Sequence, residues 1–446
     1  MLDMNDYRTE PIGLFEPGML ESAAYRIPSL LTTKKGTVIA GIDVRWKSAR
    51  DNPNHIAIGI RRSGDGGETW GPIQLPVRYP GEGAEGAAAI DSALLEDAET
   101  GTIWMLFSHT PGGIGLWQSQ QSIGFDDQGR RLLYDEAGDE YICDSLGAVY
   151  DKAGARTVYT VEENGDVIRD GAYTGNIYLA ETVSPRSLLE ARTSFLQMIR
   201  SDDDGLTWSA PIELNPQVKT PWMKFIGAGP GRGLQLRRGP QAGRLVFPVY
   251  FNNTNERMSN ALIYSDDHGH SWQLGESPNV GRIWEGKPVS PETLDDAAAQ
   301  LTESQAVELA DGTVRIYMRN HAGTGRTAVS ESADGGLTWG EVTFDETLLD
   351  PICQSTVIAY PDGAADGQSR LIWANPAHPA ERINGTVRLS EDGGRTWAHA
   401  RTVHPGAFWY SCLTVLDNGD IGLLYEGDGG VIYFTKFTLE WIKSGR

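Results

Sequence analysis

The chain of 446 residues carries a formal net charge of -22, which argues against nucleic acid and anionic membranes as partners because phosphate binding requires a basic surface. Hydrophobic residues make up 40% and charged residues 22% of the sequence, a balance typical of a folded globular protein and not of a disordered one. The 53 Gly, 23 Pro and 13 Trp indicate many short strands joined by tight turns, and so favour an all-β fold.

The N-terminal segment MLDMNDYRTEPIGLFEPGML has neither the basic region nor the continuous apolar stretch of a signal peptide, and no window elsewhere approaches a membrane span. As written, the chain is expected to be cytoplasmic, and to be secreted if a leader has been trimmed from it. Its three cysteines, Cys143, Cys353 and Cys412, are widely spaced and odd in number. The sequence therefore predicts free thiols, with neither a disulfide framework nor a zinc site, and it implies no cofactor.

Five copies of an eight-residue pattern, Ser-x-Asp-x-Gly-x-Thr/Ser-Trp, follow one another along the chain, each next to short apolar runs. The Asp carboxylate can accept backbone N–H bonds within the turn, Gly takes a positive φ, and Trp packs back as an anchor. These aspartate boxes predict strand–turn–strand scaffold units, because their acidic residues lack the spacing of a calcium-binding loop. The copies are Ser63–Trp70, Ser201–Trp208, Ser265–Trp272, Ser332–Trp339 and Ser390–Trp397.

The later boxes recur about every 60 residues, and the first interval is about twice as long, which fits one four-stranded blade per repeat. We therefore predict an all-β, six-bladed β-propeller that forms a single domain over residues 1–446. A small β-rich subdomain is expected as an insertion at about 118–195, where short β-rich runs alternate with turn residues. The C-terminal run GVIYFTKFTLEWI is expected to share the last blade with a strand near the N-terminus.

The segment Tyr25-Arg26-Ile27-Pro28, followed by the aspartate boxes, resembles the bacterial exo-sialidases. The likeness extends over almost the whole chain, through LNPQVKTPWMKFIGAGPGRG, LTESQAVEL, IYMRN, INGTVRLS, YSCLTVL and IGLLYE. The resemblance implies a six-bladed propeller that removes terminal sialic acid from sialylated oligosaccharides or glycoconjugates, without a metal.

The resemblance also implies a cluster of arginines that binds the carboxylate of the sugar. Arg26 matches the first member of the family's triad, Arg319 the second and Arg382 the third, while Arg45 resembles a further substrate-contacting arginine. Guanidinium groups suit this role because they stay charged and present forked donors to both carboxylate oxygens. Glu426 is expected to orient Arg26.

Tyr410 resembles the nucleophile of the family, and Glu303 resembles the carboxylate that polarises it. A neutral phenol suits the substrate, because sialic acid carries a carboxylate on its anomeric carbon that would repel an anionic nucleophile. Asp51 resembles the general acid, in a polar loop that departs from the aspartate-tryptophan-glycine-aspartate form common in the family. Asp91 resembles a position that reaches the substituents of the sugar.

Three functions follow from this pattern. The first is a hydrolase that cleaves sialosides with retention through a covalent tyrosine intermediate. The second is an intramolecular trans-sialidase that releases an anhydro-sugar, which the variant Asp51 loop and Trp117 keep open. The third is a non-catalytic glycan-binding propeller, which is less favoured because a binding module need not retain Asp51, Tyr410 and Glu303 together with three arginines. The sequence makes no prediction of oligomeric state.

Overall fold

The computed structural model describes residues 6–360 and 369–445. Strands dominate these residues, which include the short helices α1 (Asn215–Val218) and α2 (Leu439–Ser444) and five single 3-10 turns. The hydroxyl of Thr438 caps α2 by accepting the N–H of Trp441, as is usual at a helix N-terminus. Within the described part of the chain, no helix is long and apolar enough to cross a membrane.

The first strands lie largely in the core. Two of them, β3 and β7, are buried at every position, because apolar clusters cover both of their faces. The strands are β1 (Ile12–Phe15), β2 (Ala24–Thr32), β3 (Val38–Arg45), β4 (Ile56–Ser63), β5 (Gln74–Val77), β6 (Ala88–Glu96) and β7 (Ile103–Thr110).

Seven short strands then form a separate antiparallel sheet within the predicted insertion. Its turns follow an Asp-x-x-Gly pattern, in which the Asp carboxylate accepts the backbone N–H groups two and four residues later, as at Asp135 and Asp144. The sheet packs around its own apolar residues, including Leu133, Val149 and Val167. The strands are β8 (Arg131–Tyr134), β9 (Glu140–Cys143), β10 (Ala148–Asp151), β11 (Arg156–Val161), β12 (Asp166–Arg169), β13 (Ala172–Asn176) and β14 (Leu189–Glu190).

The remaining strands range in length from two to nine residues. The first group is β15 (Phe195–Ser201), β16 (Ile212–Glu213), β17 (Ile226–Ala228), β18 (Gly231–Arg232), β19 (Leu234–Gln235), β20 (Leu245–Asn252), β21 (Met258–Ser265), β22 (Gln273–Leu274), β23 (Ile283–Trp284) and β24 (Lys287–Pro288). The second group is β25 (Leu301–Glu308), β26 (Val314–Asn320), β27 (Arg326–Ser332), β28 (Thr343–Leu349), β29 (Thr356–Tyr360), β30 (Arg370–Pro376), β31 (Ile383–Ser390), β32 (His399–Ala407), β33 (Ser411–Val415), β34 (Ile421–Glu426) and β35 (Ile432–Phe437).

These strands pair into mostly antiparallel sheets, which pack face to face around a common centre. Three sheets have four strands, in the orders β25-β26-β27-β28, β29-β30-β31-β32 and β1-β35-β34-β33, and one has five strands around β17-β20-β21-β22. The others are a nine-stranded sheet of order β16-β15-β7-β6-β4-β3-β2, with β5 and β18 at its sides, and the hairpin β23-β24. The predicted all-β, propeller-like fold is confirmed, whereas the described strands do not separate into six sheets, because β4 and β6 join through the single parallel pair Ile56 and Ala88.

The N-terminal strand closes the last sheet, as the sequence predicts. β1 pairs with β35 through Ile12 and Phe434, so the two ends of the chain share one sheet. Apolar side chains such as Phe15, Leu424 and Phe434 fill the space between this sheet and β2–β3. The closure therefore fixes β2 against β33 and β34.

The aspartate boxes are turns of one geometry. In each box the Asp accepts the hydroxyl of the Ser two residues earlier and the N–H and hydroxyl of the Thr or Ser four residues later. The Trp that ends the box is largely buried in two copies, Trp272 and Trp397. The boxes are therefore part of the scaffold, as predicted.

Candidate active site

The predicted site residues come from distant parts of the chain and meet at one end of the inner strands. Three of these strands, β2, β6 and β25, carry a register irregularity at the site, between Arg26 and Ser29, Ile90 and Ala93, and Leu301 and Ser304. Such bulges redirect a side chain out of the regular pleat. The bulges therefore explain how strands that are otherwise buried in the core can direct polar side chains into the site.

Tyr410 lies at the centre of the site, immediately before β33. Its hydroxyl donates to Oε1 of Glu303 at 2.5 Å, and Nη1 of Arg319 donates both to the Tyr410 oxygen at 2.9 Å and to Oε2 of Glu303 at 2.6 Å. Burial and the nearby Glu303 carboxylate raise the pKa of Tyr410 well above its usual value. The phenol is therefore neutral in the resting site, with a carboxylate in place to accept its proton.

Arg26 and Glu426 form the next part of the site. Nε and Nη2 of Arg26 both donate to Oε2 of Glu426 at 3.3 Å, and the backbone N–H of Ile27 donates to Oε1 at 2.7 Å. Ile27 has a φ of 61°, which is costly for a β-branched residue. The Glu426 carboxylate thus holds both the guanidinium and the strained backbone beside it.

Arg382 completes the group of three arginines around Tyr410. Its guanidinium carbon lies 5.8 Å from the centre of the Tyr410 ring, and that of Arg26 lies 5.5 Å away. Nη2 of Arg382 donates to the carbonyl of Ile352 at 2.7 Å, and no carboxylate of the described residues forms an ion pair with it. Three positive side chains converge on one phenol, so this end of the propeller can bind an anion despite the acidic charge of the whole chain.

Arg45 is fully buried on β3. Its Nη1 donates to Oδ1 of Asp51 at 2.7 Å and to the carbonyl of Ala49 at 2.8 Å, while Nη2 donates to Oδ2 of Asp43 at 2.8 Å. A guanidinium in this position is enclosed by protein groups. The placement differs from the predicted substrate contact, because Arg45 contacts Asp51 and the Ala49 carbonyl of the Asp51 loop.

Asp51 lies at the surface of the site, with 65% of its side chain exposed. Its Oδ1 is 3.6 Å from Nη1 of Arg26, so it faces the arginine group. Partial burial raises the pKa of Asp51, but Arg45 and Arg26 outweigh that effect and lower it overall. A ligand carboxylate bound to the arginines would offset their charge and raise the pKa of Asp51 again.

Asp91 is buried at the bulge of β6, with a φ of 65°. The Tyr250 hydroxyl pairs with its Oδ2 at 3.1 Å, and its backbone N–H donates to Oδ1 of Asp43 at 3.1 Å. Burial, together with Asp43 and Glu303, raises the pKa of Asp91 well above its usual value. The raised pKa favours the acid form of Asp91, which can donate as well as accept a hydrogen bond.

A loop after β7 forms the edge of the site. Gly115 lies so close to the Asn52 carbonyl that an added Cβ would be 2.1 Å from that oxygen. Leu116 packs against Phe225 and Tyr250, and Trp117 is 51% exposed. Trp117 therefore directly follows two residues that contact Asn52 and Tyr250.

The sequence did not single out Asp43, Tyr250 or Trp409, which all contact predicted site residues. Asp43 lies two residues before Arg45 on one strand, so strand alternation places both side chains on the same face. Trp409 directly precedes Tyr410, so its position next to the predicted nucleophile could have identified it as a site residue. Tyr250 comes from β20, and no local pattern links it to Asp91.

Comparisons with known proteins identify the relatives of the chain. Residues 156–423 match the family described as BNR repeat-like domain. The chain is 30% identical to a sialidase of Bacteroides fragilis over 444 residues, covering 96% of the chain and 64% of that protein. It is 32% identical to a sialidase of Micromonospora viridifaciens over 422 residues, covering 94% and 52%, and 30% identical to an anhydrosialidase of Macrobdella decora over 481 residues, covering 91% and 58%. The chain thus spans between about half and two thirds of the length of these relatives.

Solved structures extend the likeness to the fold. The intramolecular trans-sialidase of Ruminococcus gnavus, in complex with oseltamivir carboxylate, aligns with a TM-score of 0.83 at 27% identity, covering 97% of this chain and 98% of that one. A leech intramolecular trans-sialidase, complexed with 2,7-anhydro-Neu5Ac, aligns with a TM-score of 0.81 at 27% identity, covering 97% and 71%. The chain therefore belongs to the BNR repeat-like domain family, and its predicted resemblance to the bacterial sialidases is confirmed.

Proposed function

We propose that the chain is an exo-sialidase that cleaves terminal sialic acid from glycans with retention of configuration. The observation that carries the proposal is the contact of Tyr410 with Glu303 and Arg319, beneath the guanidinium groups of Arg26 and Arg382. A neutral nucleophile with an attached base, next to a cluster of cations, suits a sugar whose reacting carbon bears a carboxylate.

In the first step, Glu303 takes the proton of Tyr410 as the phenol oxygen attacks the anomeric carbon. The bond to the leaving sugar breaks, and Asp51 in its acid form protonates the departing oxygen. The substrate carboxylate on the arginines favours that acid form, because it offsets the charges of Arg45 and Arg26 that lower the pKa of Asp51.

In the second step, Asp51 as a carboxylate takes a proton from water, and the water oxygen attacks the same carbon. The bond to Tyr410 breaks, and Glu303 returns the proton to the phenol oxygen. Two inversions give net retention, and both carboxyl groups end in their starting states.

The buried groups around these residues have supporting roles. Arg45 positions Asp51, and Glu426 positions Arg26. Asp91, which accepts the Tyr250 hydroxyl, forms a hydrogen bond with a substituent of the sugar ring. No metal or cofactor takes part in the proposed steps.

We further propose that the fold is a six-bladed propeller in one catalytic domain, with the insertion at about 118–195. The nine-stranded sheet divides into two antiparallel units, β2-β3-β4-β5 and β6-β7-β15-β16, which meet through one parallel pair. These two units, the three four-stranded sheets and the sheet around β20 would be the six blades.

A second candidate is intramolecular transfer, in which a hydroxyl of the sialyl group attacks in place of water. Two observations favour it: the solved neighbours described as intramolecular trans-sialidases, and the exposed Trp117, two residues after the contact of Gly115 with the Asn52 carbonyl, where an apolar ring could exclude water. The experiment is to incubate the protein with 3'-sialyllactose and identify the product by mass. Free sialic acid supports hydrolysis, a product lighter by one water supports transfer, and binding without turnover supports a non-catalytic glycan-binding propeller.

A further inference from the structure

Trp409 stands next to Tyr410 and is 40% exposed. Its backbone N–H donates to the carbonyl of Glu426 at 3.1 Å, and the preceding Phe408 N–H donates to the carbonyl of Arg382 at 2.9 Å. The backbone thus fixes the indole between the two chain segments that carry these residues.

Two guanidinium groups lie against this one indole. The guanidinium carbon of Arg382 is 4.9 Å from the ring centre, and that of Arg26 is 5.3 Å from it. Both distances are within the range of about 6 Å for cation–π attraction, for which Trp is the best aromatic partner. The attraction offsets part of the repulsion between two like charges that must stay close to bind one carboxylate.

The two arginines depend on the indole to different extents. Arg26 is also held by Glu426 and lies 3.6 Å from Asp51. Arg382 has the hydrogen bond to the Ile352 carbonyl and, among the described residues, no ion pair. Loss of the indole would therefore free Arg382 more than Arg26.

We propose that Trp409 is a positioning residue, which holds the Arg382 guanidinium in the orientation that receives the substrate carboxylate. This inference rests on the proposed sialidase function. The carboxylate is bound in both the ground state and the transition state, so Trp409 contributes to KM more than to kcat.

The test is a double-mutant cycle of Trp409→Leu with Arg382→Met, which removes the cation, measured on an aryl sialoside and by calorimetry with free sialic acid. Trp409→Leu should raise KM and Kd by about tenfold with kcat nearly unchanged. Trp409→Phe, which keeps an aromatic face, should show a smaller rise. In the Arg382→Met background, Trp409→Leu should add much less than tenfold, because no cation remains at position 382 for the indole to hold.

A matched control is Tyr264→Leu, which removes the ring 4.4 Å from the guanidinium carbon of Arg244, an arginine paired with Asp266 outside the site. Its KM should equal that of the wild type. Equal effects of Trp409→Leu and Trp409→Phe, or additive losses in the cycle, would overturn the inference. If Trp409→Leu does not fold, the same cycle is measured with Trp409→Phe, since Phe attracts cations less than Trp does. Additive effects in that cycle would also overturn the inference. A wild type without sialidase turnover would instead overturn the proposed function.

Discussion

The substitution Arg319→Lys tests the contact at the centre of the site. One nitrogen of Arg319 donates to both the Tyr410 oxygen and the Glu303 carboxylate, at 2.9 and 2.6 Å. A lysine keeps the charge but cannot reproduce the planar, forked geometry. Loss of charge-assisted contacts at a desolvated anion site costs about 2–4 kcal/mol, which corresponds to a fall in kcat/KM of about 30- to 1000-fold.

The assay is kcat/KM on a fluorogenic sialoside, with thermal melting as a measure of the fold. Because the charge beside Glu303 is retained, the melting temperature should change by no more than about 3 °C. Arg315→Lys is the matched control, since Arg315 lies on the same strand and pairs with Glu331 away from the site. A kcat/KM of Arg319→Lys equal to that of Arg315→Lys would refute the role of Arg319.

Three further variants probe the chemistry and the scaffold. Tyr410→Phe should abolish turnover while the Kd for sialic acid, measured by calorimetry, changes by less than about threefold, because the ring remains; joint loss of binding and turnover would contradict a purely nucleophilic role. Asp51→Ala should lower kcat/KM for sialyl-lactose by about 10²–10⁴ and for an aryl sialoside with an acidic phenol much less, and equal losses would mean that Asp51 positions the sugar. Hydrogen bonds from Thr69 and Ser63 lower the pKa of Asp65 to about 2 from 3.8, so this carboxylate stabilises the fold above pH 3.8 and its contribution is lost as the pH falls towards 2. Between pH 3.8 and about 2, the melting temperature of Asp65→Asn should therefore decline less steeply than that of the wild type. Parallel plots of melting temperature against pH would refute the contribution of Asp65 to stability.

The repeats and the closure of the chain could be predicted from the sequence, because both depend on local patterns. Each aspartate box carries its own hydrogen-bonding groups, and β1 and β35 are apolar strands at the two ends of the chain. The number of blades is harder to predict, since β4 and β6 pair with each other although the spacing of the repeats assigns them to different blades.

The site was predictable only in part. Motifs identify Arg26, Glu303 and Tyr410, and the structure brings them together. The burial of Arg45 was not predictable, because it depends on Asp43 and on the loop that folds over it. The cation–π contact of Arg382 with Trp409 was also not predictable, since it depends on the juxtaposition of the segments before β31 and β33.

The most direct test of the central claim is to trap the intermediate. The wild-type protein is incubated with a 3-fluorosialyl fluoride, whose fluorine slows the second step, and the adduct is located by intact mass and peptide mapping. We expect a single sialyl adduct on the peptide that contains Tyr410, and none in Tyr410→Phe. An adduct on a carboxylate such as Glu303, or turnover of sialosides without any adduct, would contradict the tyrosine mechanism.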